Sequence, residues 1–429
     1  VAGGGLPAIT QVAGGDWDYP LGTITVPTGT TSAVTAAMLS DARTYSYTLG
    51  SQDSINGELT PENAAGMYKQ LIVNPATKVI QWAAYAESRR NHLDNPTFLN
   101  NQRGQTSIVG PSSGVICDRW RATLSSSAYS LSLVSSTAPA DQVGGNVPRA
   151  LQIISNGVAV APSSYFGIYQ VIEGYAWAKL FNQPLVLSWW DWSSVAATYC
   201  FQLRNGATNV SFVHPYSVPA NTWTYNWAYI PPVSIGTWNF TNGAGAYLDF
   251  ATATGTGSFQ ATVADAWING NFVGHTSMTN NLTSNGYGHY IVAPKLEIGH
   301  LPSRFVIPDF IEDQMKCLRQ LWRLTITNSG GRFTTGVCVG ASDVQYYIIP
   351  PVQMRVDPPS FSVNNIATIL TNAISPRTMT SLAISSGLSS QNMLGIQAGG
   401  VAGTNTLGAV YELFTGTVGD WIQFSAELQ

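Results

Sequence analysis

Charge is scarce in this sequence. Of 429 residues only 10% are charged, with 19 Lys+Arg against 23 Asp+Glu and a formal net charge of −4. No basic stripe runs along the chain, so a nucleic-acid partner is not expected. Lys and Glu are few, which argues against long solvated helices. The four cysteines, Cys117, Cys200, Cys317 and Cys338, lie far apart and form no Cys-x-x-Cys pair. That argues against a zinc or redox site and leaves buried free thiols as the expectation. The five histidines show no metal-ligand spacing, and the zincin pattern is missing. No apolar run reaches transmembrane length, so membrane insertion is not expected. The opening Val1-Ala-Gly-Gly-Gly-Leu has no basic start followed by an apolar core, so no signal peptide is expected.

Glycine, serine, threonine, asparagine and aromatic residues are plentiful instead. That composition predicts many short strands joined by turns. The length suggests about three domains. Composition and pattern place their boundaries as 1–92, 93–305 and 306–429. In the first region, Ser32 can cap a short helix through Ala42, and Thr44–Leu49 alternates like a strand. Thr60 followed by Pro61 starts a second helix, and Val79–Ser88 reads as a third. Nothing there carries chemistry, and the region is read as an attachment or trimerisation segment.

The chain changes character at Tyr290. Tyr290–Gly299 is an apolar run broken by Pro294, which suits a strand near a sheet edge. The arm Leu301–Pro308 follows, and then a segment of helical period. Ile311, Met315, Leu318 and Trp322 share one helix face, expected to dock. Asp309 is the expected N-cap, with Glu312 placed for a capping box. Asp309, Glu312 and Asp313 lead and Lys316, Arg319 and Arg323 trail, as the helix dipole favours.

Strand-like runs between 115 and 300 are Leu151–Ile154, Tyr165–Val171, Leu185–Trp192, Thr198–Leu203, Trp223–Ile230, Ala246–Phe250, Asp265–Phe272 and Tyr290–Ile298. Their number and turn punctuation predict a two-sheet sandwich. Further β-structure is expected over Arg332–Val339, Gln345–Ile349, Ser360–Val363 and Trp421–Ala426. The predicted fold class is mainly β: a jelly-roll sandwich, a docking helix and a C-terminal β-region, after a mixed N-terminal region.

Several motifs resemble one family. Asn95-Pro-Thr-Phe-Leu-Asn-Asn-Gln-Arg-Gly104, Cys117-Asp-Arg-Trp120, Leu185-Val-Leu-Ser-Trp-Trp-Asp-Trp192 and Trp223–Pro231 resemble the strands of a jelly roll found in bacteriophage tail-fibre and related virion proteins. Lys295-Leu-Glu-Ile-Gly299, Pro302, Phe305, Glu312, Cys317 and Arg319 resemble the closing strand, arm and helix of that domain. Pro351-Val-Gln-Met-Arg355 with Pro358 resembles the β-region that follows it. Lys295 stands where the family has Gln, Asn101 where many members have an aromatic, and Gln320-Leu321 where it has two aromatics. The resemblance covers roughly 91–360. It implies a jelly roll like a carbohydrate-binding module in a non-enzymatic virion subunit. It further implies a homotrimer that contacts other virion proteins and host-surface glycans.

Trp223, Tyr225, Trp227 and Tyr229 share one strand face. Aromatic faces stack on sugar rings, but a continuous aromatic face is read first as sandwich core. The glycan-binding candidates are therefore loop aromatics: Tyr216 in His214-Pro-Tyr-Ser, Trp238 in Gly236-Thr-Trp-Asn, and Tyr287 with His289 in Asn285-Gly-Tyr-Gly-His. Hydrolysis needs two convergent carboxylates. Asp118, Asp141, Glu173, Asp191, Asp249, Asp265 and Glu297 supply no close pair, so no catalytic residues and no enzyme activity are expected. Gly110-Pro-Ser-Ser-Gly114 matches a nucleophile-elbow pattern in the wrong context. No cofactor is expected, a structural calcium ion being the one left open. The rivals are a purely architectural capsid-decoration or baseplate subunit and a polysaccharide depolymerase. Deleting residues 1–92 is expected to leave a folded remainder that no longer incorporates into its particle, checked by assembly of the truncated chain; normal incorporation contradicts the attachment reading.

Overall fold

The computed structural model describes the backbone over 69–73 and 80–84. It then describes residues 90–428, apart from 111, 125–128, 140–144, 159, 281–284, 329, 366–367, 372–375 and 415–416. Two compact units result, Val1–Glu87 and Ser88–Gln429. In the first, β1 (Lys69–Val73) pairs antiparallel with β2 (Ile80–Ala84), Leu71 opposite Trp82. The helix expected over Val79–Ser88 is thus a strand at its start, as its Ile-Gln-Trp opening favours. The helices expected at Ser32–Ala42 and from Thr60, and the strand Thr44–Leu49, lie outside the described residues.

The second unit opens with a jelly-roll sandwich. Its strands are β3 (Ser107–Val109), β4 (Ser112–Cys117), β5 (Trp120–Leu124), β6 (Tyr129–Ser135), β7 (Arg149–Asn156), β8 (Tyr165–Glu173) and β9 (Leu185–Ser193). They continue as β10 (Ala197–Asn205), β11 (Val210–Val218), β12 (Thr224–Ile230), β13 (Ala244–Thr254), β14 (Gln260–Ala261), β15 (Trp267–Asn269), β16 (Gly274–His275) and β17 (Asn285–Ile298). A seven-stranded sheet runs β15-β11-β10-β13-β8-β5-β4, and a six-stranded sheet runs β12-β9-β17-β7-β6-β3. Alternation along each strand sends one set of side chains between the sheets. Trp189 is the hub there, edge-on to Tyr216 at 4.8 Å, Phe250 at 5.3 Å and Phe201 at 5.4 Å.

Sequence pattern found eight of these fifteen strands and missed β3, β4, β5, β6, β14 and β16, and also β11. Its Pro215 lies within the strand, and a proline inside an apolar run reads as a break. All four cysteines are free and buried, and burial pushes the Cys117, Cys200 and Cys317 thiols up.

The helix forms over Phe310–Gln320. Asp309 caps it, its side chain accepting from Ile311 N at 2.9 Å and Glu312 N at 3.1 Å. The face that docks differs from the expected one. Ile311 is 56% and Met315 41% exposed, whereas Asp313, Cys317 and Gln320 are buried. The cause is polar. Asp313 Oδ1 accepts from Asn95 N at 2.9 Å and Oδ2 from Asn100 Nδ2 at 3.1 Å, which rotates the helix towards the sandwich on that side. Trp322 leaves the helix altogether and opens the C-terminal region in β18 (Leu321–Thr325).

That region continues as β19 (Arg332–Cys338), β20 (Val344–Ile348), β21 (Ser360–Val363), β22 (Thr368–Thr371), β23 (Pro376–Thr378), β24 (Ser381–Ile384), β25 (Leu394–Gly399), β26 (Val410–Phe414) and β27 (Trp421–Ser425). It makes a three-stranded sheet, β18-β27-β21, and a seven-stranded sheet, β23-β22-β26-β19-β20-β25-β24. Tyr346, Tyr411, Met354 and Phe424 fill a separate core.

Replacing Asp313 with Ala orphans two buried donors and is expected to cost about 3 kcal/mol of stability. Met315→Ala, on the exposed face of the same helix, is expected to change it by less than about 0.5 kcal/mol. Urea denaturation of the full chain measures both; equal losses contradict this docking geometry.

Candidate functional site

The outer face of the six-stranded sheet is divided in two. The arm after β17 covers one part. Lys295 Nζ lies 2.9 Å from Glu297 Oε2. Both hold Ser303: its N and Oγ each donate to the Glu297 carboxylate at 2.6 Å, while Lys295 Nζ donates to Ser303 Oγ and, at 3.2 Å, to Arg304 O. This clamp seats Phe305 on Trp190, Val292 and Ala150. A charge pair buried this deeply is tolerated because hydrogen bonds occupy both ends.

The other part is aromatic and open. β12 is the edge strand, and Tyr225 (40%) and Trp227 (41%) project into solvent from it, flanked by half-buried Trp223 and Tyr229. This corrects the expectation that the alternating aromatics form the core; Ala228 and Ile230 face inward instead. The pairing register decides it. Tyr225 lies opposite Trp190 and Trp227 opposite Ser188, and both of those point outward from β9. Tyr225 packs on Trp190 at 5.4 Å, with its phenol raised by burial and partly offset by Ser188.

The surface continues inward along the sheet. Trp192 is edge-on to Tyr290 at 5.1 Å, Trp223 lies 6.3 Å from Tyr290, and Gln152 donates to the Tyr290 hydroxyl. The result is a ledge of indole and phenol faces bordered by a side-chain amide. Tyr225 and Trp227 stand two residues, roughly 7 Å, apart along it.

The four residues singled out from sequence are placed otherwise. Tyr216 lies in β11, packed on Trp189 and 7% exposed, its hydroxyl pushed up by burial. Trp238 does sit in a loop but is also only 7% exposed, stacked on Trp177 at 4.8 Å with Nε1 donating to Ile235 O. His289 is buried between the sheets, where Nε2 lies 2.8 Å from Asp191 Oδ1, Thr252 Oγ1 is 2.9 Å from Nδ1, and Tyr199 stacks on the ring at 3.8 Å. The Asn285-Gly-Tyr-Gly-His segment starts β17 rather than forming a loop, so strand alternation turns His289 inward. Tyr287 alone of the four is half-buried at the surface. The ledge aromatics were missed as candidates because their regular alternation was read as a core signal.

The seven-stranded sheet carries a different cluster on its outer face. Asp249 is buried, with Oδ1 set against bare Gly167, where an added Cβ meets it at 2.2 Å. Arg204 Nη2 stands 3.5 Å from Asp249 Oδ2, Arg204 Nη1 donates to Asn271 Oδ1 at 2.7 Å, and the guanidinium lies over Tyr247. Burial pushes the Asp249 carboxyl up to about 7 against the opposing pull of Arg204 and Gln202. The cluster holds one carboxylate, not the pair hydrolysis requires. Among the described residues no group of three His, Cys, Asp or Glu is placed to hold a metal ion.

No known family matches the chain by sequence, and no curated protein does. Similarities to solved structures are present. The structure of TmCBM61 in complex with β-1,4-galactotriose covers 49% of this chain and 99% of its own, at 13% identity and a TM-score of 0.25. The CBM22-1 xylan-binding domain from Paenibacillus barcinonensis Xyn10C covers 51% of this chain and 99% of its own, at 10% identity and a TM-score of 0.25. For the enzymatically active domain of tailspike protein 4 from bacteriophage CBA120 the figures are 49% and 21%, at 9% identity and a TM-score of 0.25. Likenesses at this level carry no argument about ligand or activity, and function rests on the residues described above.

The raised Asp249 gives a pH dependence of defined sign. Its ordinary value is 3.8, so between about pH 4 and 7 the folded chain holds a proton that the unfolded chain has lost. Its contribution to stability is complete below that window and falls as pH rises through about 7. The difference in unfolding free energy between wild type and Asp249→Asn, taken at about pH 4.5 and 7.5, is expected to shift in favour of the variant at the higher pH. An unchanged difference contradicts the assignment.

Proposed function

We propose that this protein is a non-enzymatic structural subunit of a bacteriophage particle that binds host-surface glycans through the aromatic ledge of β12 and β9. The observation that carries the reading is the exposure of Tyr225 and Trp227 on an edge strand, in line with Trp223, Trp192 and Tyr290. Flat apolar rings in solvent, bordered by the Gln152 amide, suit the C–H faces and hydroxyls of a sugar. The particle assignment is supported by the run of virion-protein motifs from Asn95 to Pro358. In this reading residues 1–92 attach the chain to other virion proteins and the subunit works as a homotrimer. Linked copies then raise weak single-site binding about 10²–10⁴-fold.

The acids of the sandwich support a role without hydrolysis. Glu173 pairs with Arg319 at 2.9 Å, Asp191 with His289, Asp249 with Arg204, Asp265 with His214 and Glu297 with Lys295. Asp118 accepts from Gln102 N at 3.2 Å and Nε2 at 2.8 Å. Each of these six has a side-chain or backbone partner within the fold. A second reading, a purely architectural subunit, is favoured by one observation. Leu301, Val306, Ile307, Phe310, Ile311 and Met315 are all exposed around the arm and helix, as at a protein contact.

A glycan array with the full chain separates the two. Retention of a host-surface polysaccharide that falls at least about tenfold in Trp227→Ala and Tyr225→Ala, with unchanged circular dichroism, supports the ledge. Both side chains are exposed, so neither change is expected to unfold the sandwich. Silence across the array, with intact particle assembly, supports the architectural reading instead.

A further inference from the structure

Cations are few in this chain, and several of them meet at one cavity. A cavity of about 200 Å³ lies between the residues leading into the sandwich, the end of β8 and the Phe310–Gln320 helix. Five of the 19 Lys+Arg residues line it: Arg90, Arg119, Lys179, Lys316 and Arg319. Two carboxylates share the wall, and both are engaged. Asp94 Oδ2 is 3.0 Å from Arg119 Nε, and Glu173 Oε1 is 2.9 Å from Arg319 Nη2. Lys316 reaches Glu312 at 3.4 Å, but that carboxylate is largely in solvent, where such a pair contributes little. Arg90 and Lys179 form no ion pair among the described residues.

Set among these cations is His92. Its Nε2 is buried and makes no hydrogen bond among the described residues. Burial comes first, and then the charges of Arg90, Lys179 and Lys316 hold its imidazole down at about 4. A solvent-open cavity lined by more cations than carboxylates, with an unbonded imidazole nitrogen beside them, is complementary to an anion.

We propose that this cavity is a binding site for a compact oxyanion, a carboxylate, sulfate or phosphate group, held by Arg90, Lys179 and Lys316 with His92 Nε2 as a further contact. Ordinary small-molecule pockets run to about 300–1,000 Å³, so this one takes a free anion or a single acidic sugar rather than a longer ligand. The site is separate from the β12 ledge and does not depend on it. Because Lys316 lies on the helix and Lys179 on the sandwich, the anion bridges the two.

Calorimetric titration of the full chain with inorganic phosphate, sulfate, glucuronate and neutral glucose, against chloride at constant ionic strength, tests this. Saturable one-to-one binding of at least one of the three anions is expected, with none for glucose. The Arg90→Gln and Lys179→Gln variants should each weaken it at least about tenfold. Both side chains are exposed, so folding is expected to survive. Phosphate binding marks free oxyanions as sufficient, whereas glucuronate alone marks an acidic sugar. The ring-proton resonance lost in His92→Gln should titrate at higher pH in the bound wild type. No saturable anion binding, binding in either Gln variant unchanged from wild type, or a bound-state His92 that titrates unchanged overturns the proposal.

Discussion

The second unit is referred to one buried polar knot centred on Asn95. Its side-chain amide donates to Asp118 O at 2.7 Å and Asn100 O at 2.8 Å, and its Oδ1 accepts from Asn100 N at 3.0 Å. Its carbonyl takes the Trp120 indole N–H at 2.9 Å, and its own N–H reaches Asp313 on the helix. Next door, Gln102 donates to the Asp118 carboxylate and to Leu321 O, where the C-terminal sheets begin. One turn thus fixes the β4–β5 corner, the helix and β18 together. Such a network holds a unique arrangement because every unmet donor in it is costly.

That knot also explains why the motif-like residues say so little about ligands. Asn95, Gln102, Asp118, Arg119 and Trp120 are among those motif residues, and their polar groups are consumed internally. Lys295 and Glu297 are likewise consumed in seating the arm. The Trp223–Pro231 run, which belongs to the same resemblance, differs: Tyr225 and Trp227 in it meet solvent along β12.

Much of the architecture was legible because period-two alternation and turn residues mark strands directly, and the Asp309 cap marks the helix start. Pattern could not say which side of β12 faces inward. Alternation groups Trp223, Tyr225, Trp227 and Tyr229, but only pairing with β9 shows that Ala228 and Ile230 line the core. The same gap misplaced the helix face. Apolar spacing pointed to Ile311 and Met315, while the Asn95 and Asn100 contacts that decide the docking come from residues more than 200 positions away. Of the candidate site residues, Tyr216 and His289 read from sequence as loop residues because Pro215 and the glycines at 286 and 288 look like breaks; both belong to strands.

The chain enters and leaves the sandwich at neighbouring points. Asn91 donates to Pro294 O at 2.9 Å and accepts from Leu296 N at 3.1 Å, while His92 N donates to Leu296 O at 2.8 Å. A few residues beyond each junction, Asn95 and Asp313 are fastened to one another. Tension applied between the segments before Asn91 and after Pro308 therefore loads this short strap and the end of β17 first. The sandwich is thus closed into a loop at its base, and lengthening a loop away from that base leaves the strap unchanged.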